Sequence, residues 1–317
     1  LLSEIKQGLL GWCGIASGKQ VLYVGTADEP TAVMLQQRGV ALTCADLICI
    51  SDDAWQASHT GFFDYIVSVR TLEQVEHPEQ YLRVWPGLLS SRGRIWLVMG
   101  NRLGIKYLCG DRDPYTRRIM DGIEGYRRAY AKPEDDFYGR MYCRSELEQL
   151  LVNSGLGHYK FYSVFDSIEQ PKLIYADGIY PTEKLSNRIM TPIYHHPESV
   201  FLEERPLYDL LCQEKLLHKL ANAYIIECSL DGSLSDIQQV TSSLGRGPVD
   251  AMYTIIHSNG TVAKIAAFSE GTKRLKELWK NGNDLRSRGI KMVDAQLYNG
   301  VYRMPFVQAE SGQKYLE

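Results

Sequence analysis

The chemistry in this chain is concentrated where strands end. Residues 21 to 35, VLYVGTADEPTAVML, run from a β-prone stretch through Gly25 and Thr26 into the apolar start of a helix. A bare glycine lets backbone approach a ligand, and the following helix N-terminus favours negative or polar groups, so the segment has the form of a nucleotide-binding turn. Asp46 stands 21 positions after Gly25, at the end of the next strand. An acid there holds the two hydroxyls of a ribose, or it caps the following turn. Asn101, Arg102 and Tyr107 follow a later apolar strand, at the edge where open α/β sheets take their ligands; substrate contact and packing of the following segment are both open to them. Arg112, Arg117, Arg118, Arg127 and Arg128 are interleaved with Tyr115, Tyr126 and Tyr130, a mixture able to grip an anionic sugar or a phosphate. Asp111, Asp113, Asp121 and Glu124 lie among them, so a solvated ion-pair surface is the plainer reading. His195 and His196 are adjacent, and neighbours on a strand cannot both face one ion; no metal site is expected. Nor does a G-x-S-x-G nucleophile turn occur.

These residues need a scaffold, and the periodicity supplies one. Apolar strands are expected at 21–24, 40–47, 62–69, 94–101, 159–165 and 222–230, with helices at 31–39, 78–93 and 143–156, the last capped by Ser145. A short amphipathic helix is expected over 3–17. Strands alternating with helices predict parallel pairing and a doubly wound α/β sheet. Residues 102–142 are long, aromatic and weakly periodic, the character of a lid. Beyond 235, two hairpin-like strand pairs around Asn-Gly turns flank a helix, which predicts a small α+β module at 236–317, with 166–235 as an extension packing on the first domain, 1–165.

Composition bounds the function. The 317 residues are 44% hydrophobic and 23% charged with a net charge of −3, an ordinary globular balance with no basic excess for nucleic acid. No apolar run reaches the roughly 18 residues of a membrane span. Seven scattered cysteines without a C-x-x-C pair fit reduced thiols in a cytoplasm. The chain opens on Leu1, which suggests a segment of something longer.

The stretches LSEIKQGLLGW, VLYVG, FDYIVSVRTLEQVEHPEQYL, NRLGIKYLCG and CRSELEQLLVNSGL together resemble the class I S-adenosylmethionine-dependent methyltransferases, in a branch associated with bacterial surface polysaccharides. The resemblance covers residues 2–165 and implies a Rossmann-like methyltransferase sheet, S-adenosylmethionine as cofactor, and a glycan or small-molecule acceptor. It places Gly25, Thr26, Asp46, Leu72 and Glu73 at the cofactor and Asn101, Arg102 and Tyr107 at the substrate; it identifies no general base. In that family the first loop carries two or three glycines, whereas Ala27 and Glu29 stand in the later positions here, and Pro30 removes an N–H donor. The expectation is a loop that binds the cofactor weakly or not at all. A catalytically inactive scaffold or regulator in a glycan-modifying complex, with a protein partner, is therefore the alternative to an active methyltransferase. Only about 43 residues separate Val21 from Phe63, where a complete half-fold needs roughly 60. The third strand of the fold should be missing or very short. In the tail, Lys264 on a strand ahead of a helix bearing Glu277 is similar to a protein-kinase small lobe, with no glycine-rich loop, H-R-D or D-F-G to complete it.

Overall fold

The computed structural model describes residues 9–169, 171–188 and 193–309. Its frame is one sheet of twelve strands. The first part is wound as the periodicity predicts: β1 (Gln20–Val24), α1 (Pro30–Gln37), β2 (Ala41–Ala45), the short helices α2 (Leu47–Ile50) and α3 (Asp53–Ser58), then β3 (Phe63–Val69). Two more short helices, α4 (Pro78–Leu82) and α5 (Trp85–Leu88), precede β4 (Leu89–Gly100). The expected single helix over 78–93 is broken at Arg83–Val84, just ahead of Pro86, which lacks the N–H of a continuing helix, and the strand that follows starts at Leu89. α6 (Ile105–Leu108) opens the 102–142 insertion, and α7 (Arg144–Asn153) closes it. The N-cap of α7 is Cys143, whose N–H donates to the Glu146 carboxylate at 2.7 Å; Ser145 lies inside the helix.

The remaining elements are β5 (His158–Phe165), β6 (Leu173–Ala176), α8 (Tyr208–Gln213), β7 (Ala223–Ser229), β8 (Ile237–Ser242), β9 (Met252–His257), β10 (Thr261–Ala266), α9 (Thr272–Ser287), β11 (Gln296–Tyr298) and β12 (Val301–Pro305). Across the sheet the order is β2-β1-β3-β4-β7-β5-β6-β8-β9-β10-β12-β11. Parallel pairing holds from β2 to β4; β7 enters antiparallel between β4 and β5, and every pair beyond is antiparallel. The wound, parallel part expected from strand–helix alternation is therefore present in the first part of the chain, and the two hairpins expected around Asn-Gly in the tail are β9–β10 and β11–β12. Nothing among the described residues pairs with the outer edge of β2. The place of a third strand is filled in sequence by α2 and α3, each capped by an aspartate, Asp46 and Asp52.

Two apolar cores pack the two faces of the sheet. One gathers Leu22, Phe63, Leu82, Trp85, Leu97, Leu147 and Ile226. The other joins Trp12, Val21, Tyr23, Trp96 and Tyr162 to Val240, Tyr253 and Ile255, so β8 and β9 share a core with β1 and β4. Residues 9–13 are turns rather than helix, and the earlier part of the expected 3–17 helix lies outside the described residues. No helix among the described residues is long and apolar enough to cross a membrane. All seven cysteines are free thiols.

Candidate functional site

From β1 the chain winds outward to β2, then crosses back to pair β3 on the other side of β1. That reversal is a topological switch point, and the crevice for a ligand opens outside the carboxyl ends of β1 and β3. Gly25 ends β1 with a φ of 152°, and its N–H donates to Ala45 O of β2 at 3.0 Å. The neighbouring crossing is stitched by Thr71 Oγ1, which donates to Val24 O at 2.8 Å. Inside this turn lies Glu29. Its carboxylate accepts from the Tyr23 hydroxyl at 2.7 Å and from the Thr26 N–H at 3.0 Å. A Cβ placed on Gly25 would stand 2.4 Å from Glu29 Oε1. The open face of the glycine, the feature that would admit a ligand's carboxylate, is therefore filled by a carboxylate of the chain itself. An S-adenosylmethionine seated here would have to displace Glu29 from the Thr26 N–H, and its carboxylate, though not its ammonium, would be repelled by that charge. Burial, and then Glu29, push the Tyr23 phenol well above its ordinary pKa, which keeps it a donor to that carboxylate.

The far wall of the crevice is equally bonded. Arg70 closes β3 in the left-handed region at φ 61°, turning the chain so that Glu73 points inward, fully buried. Glu73 accepts from the Gly100 N–H at the end of β4, from Arg70 Nε at 3.2 Å and from the Tyr115 hydroxyl at 2.5 Å. Tyr115 belongs to the insertion, and the Arg140 N–H donates to Glu73 O at 2.8 Å. The 102–142 segment thus lies over the carboxyl edge of the sheet. Burial and the Glu73 charge raise the Tyr115 phenol, so it stays protonated and donating.

Beneath the lid, at the same edge, sits a polar cluster around Lys106, which is 4% exposed. Its Nζ lies 3.1 Å from His195 Nε2 and 3.9 Å from Asp111 Oδ2. Burial, then Lys106, hold His195 well below its ordinary pKa, so the neutral ring accepts from the ammonium. Asp111, also buried, takes the backbone N–H groups of His195 and His196 at 3.0 and 2.8 Å. No group of three or more potential metal ligands occurs among the described residues. Nearby, Asn222 Nδ2 donates to both Asp166 O and Glu204 Oε2. Both Oδ atoms of Asp166 and Oε1 of Glu204 lack a hydrogen bond, and burial pushes each acid up to about 7.

The sequence-selected residues divide among these places. Gly25 and Thr26 form the turn, with Asp46 beside it at the end of β2, where Oδ1 accepts from the Cys49 N–H at 2.7 Å as a helix cap. Leu72 is core. Glu73 is the acid of the crevice wall. Asn101 is fully buried and donates to Lys219 O, Ala221 O and the Tyr224 hydroxyl, anchoring the loop before β7. Arg102 grips the lid, with Nε on Glu146 at 2.8 Å and a second nitrogen on Gly122 O at 3.0 Å. Tyr107 is buried, its hydroxyl 3.3 Å from Met141 Sδ. Arg70, Lys106 and the closing role of Glu29 carry no sequence signal of their own, and Tyr115, singled out only within the Arg/Tyr mixture, is brought to Glu73 by the fold. Only the substitution of a glycine position by Glu29 hinted at one of them.

No family model and no curated protein matches the chain. Among solved structures it is similar to a S-adenosylmethionine-dependent methyltransferase from Archaeoglobus fulgidus, at 14% identity over 72% of this chain and 94% of that one, with a TM-score of 0.42. A methyltransferase from Thermotoga maritima gives 12%, 72%, 91% and 0.37, and one from Mesorhizobium loti 12%, 68%, 92% and 0.32.

Proposed function

We propose that the chain is a methyltransferase-like protein of bacterial surface-glycan biosynthesis that scaffolds or regulates a glycan-modifying complex without holding S-adenosylmethionine. The observation that carries the loss of cofactor binding is the Glu29 carboxylate seated in the Gly25 turn, and the glycan setting rests on the sequence resemblance. Displacing it breaks two hydrogen bonds worth about 1 kcal/mol each, a weakening of roughly thirtyfold before any repulsion between the two carboxylates. Titration calorimetry with S-adenosylmethionine on the natural chain and on Ala27→Gly/Glu29→Gly tests it. The expected outcome is affinity in the millimolar range or weaker for the natural chain and a measurable gain in the variant. Micromolar binding by the natural chain would overturn the reading in favour of an active methyltransferase acting on a surface glycan. That second reading is favoured by one feature: the lid sits over the carboxyl edge, with Tyr115 bonded to Glu73 where an acceptor would meet a cofactor.

A further inference from the structure

The lid has a chemistry of its own in its arginine-rich stretch. Two clefts abut there and share Arg117 and Arg118. One, of about 400 Å³, is walled by Arg112, Arg117, Arg118 and Arg128 with Ile119 and Asp121. The other, of about 300 Å³, adds Tyr115, Tyr130 and Tyr138.

The charges in the first cleft are not balanced. Arg128 is held by Glu124 through two short bonds, and Glu198 lies near enough to Arg112 to feel its charge. Arg117 and Arg118, both exposed, have no salt bridge among the described residues; Arg118 reaches only Arg128 O at 3.5 Å. Two buried atoms in the same wall lack a hydrogen bond, the donor Arg112 Nε and the acceptor Asp121 Oδ2. A buried donor and a buried acceptor without partners behind one cleft are costly.

The backbone that presents these groups is held against its own preference. Arg117, Met120 and Tyr126 all adopt left-handed φ, at 58°, 69° and 62°, although none is glycine. Asp113, 2% exposed, enforces the shape by accepting from the N–H groups of Tyr115 and Thr116 and from the Tyr126 hydroxyl. Strain of this kind persists where the surroundings over-determine it, as at ligand clamps.

We infer that these joined clefts bind a phosphorylated sugar: the guanidinium groups of Arg117, Arg118 and Arg112 take the phosphate, and the tyrosine wall covers the ring. Planar guanidinium forks match phosphate oxygens, and aromatic faces pack on the apolar face of a sugar. The shared group is a phosphate next to a sugar, which either a free sugar phosphate or a nucleoside diphosphate sugar supplies. Tyr115 lines the second cleft and bonds Glu73, so the bound sugar would rest beside the crevice at the carboxyl edge of the sheet. The inference does not depend on the Glu29 turn being open or closed.

Calorimetry without S-adenosylmethionine tests it with four probes: glucose 1-phosphate, UDP-glucose, glucose and inorganic phosphate. Glucose 1-phosphate or UDP-glucose should bind, whichever is tighter naming the source; glucose should not, and inorganic phosphate should bind about tenfold more weakly or less. Arg117→Ala/Arg118→Ala, on two exposed side chains, should weaken the sugar phosphate about tenfold or more with an unchanged melting temperature. Tyr138→Ala should weaken the sugar phosphate but not inorganic phosphate. Failure of both sugar phosphates to bind, or equal affinity in the arginine variant, would overturn the site. Inorganic phosphate binding as tightly as the sugar phosphates would reduce it to an ion-pair surface and overturn the sugar assignment. None of these results bears on cofactor binding, which is read separately on the Glu29 variant.

Discussion

Glu29 shows how one side chain can close a site whose backbone is otherwise intact. Gly25 keeps the turn, and the carboxylate three residues after Thr26 takes the amide that a ligand would need. Glu29→Ala should therefore expose that amide: hydrogen exchange at Thr26 should speed about fivefold, the equivalent of about 1 kcal/mol. An unchanged rate would mean the contact does not hold the loop. The acid pair is a second residue-scale test. Burial raises Asp166 and Glu204 to about 7 from ordinary values of 3.8 and 4.5. Between those limits the folded chain binds protons that the unfolded chain has released, so this contribution to stability is greatest below about pH 4 and falls as the pH rises to about 7. Urea unfolding at pH 5 and pH 8 should show the natural chain losing about 2 kcal/mol or more to this pair, and Asp166→Asn/Glu204→Gln losing less. Equal pH slopes would show that the acids titrate normally.

At the scale of elements, the lid is fastened at both ends. Asn101 pairs in a bridge with Tyr142, and Arg102 ties Glu146 of α7 to the carbonyl of Gly122 within the insertion. Charge-assisted bonds on a partly buried arginine contribute about 1.5–3 kcal/mol, so Arg102→Ala should loosen the lid alone. Hydrogen exchange over residues 115–140 should accelerate about tenfold or more while β3 and β4 stay protected; uniform acceleration would instead mark Arg102 as a support of the whole fold.

For the whole molecule, the decisive feature is the continuity of the sheet past β6. The tail that turn spacing set apart at 236–317 shares its core with β1 and β4, and a methyl group on Gly11 would meet the Tyr253 hydroxyl at 2.4 Å. Calorimetric unfolding should accordingly show one transition across residues 9–309, and Gly11→Ala should lower stability by about 1–3 kcal/mol through overpacking. Two separated transitions would restore the tail as an independent unit. Its likeness to a kinase small lobe stays a matter of element order, since Lys264 has no ion pair among the described residues.

The sequence by itself determined the wound half of the fold, because period-2 apolar runs separated by helices leave few topologies, and the short Val21–Phe63 interval left no room for a third strand. It also marked the turn at Gly25 and its missing glycines. What those residues do follows from contacts made across the fold. Asn101 and Arg102 stand at the expected edge, yet their bonds run to residues twenty to more than a hundred positions away. Lys106 and Asp166 look like surface residues in the sequence, and both are buried in the fold. Antiparallel pairing of β5 with β6 and β7, and of β8 with β6 and β9, was hidden for the same reason, whereas the hairpins β9–β10 and β11–β12 were legible in their Asn-Gly turns. Local pattern sets the element, whereas partner and register depend on contacts made across the chain.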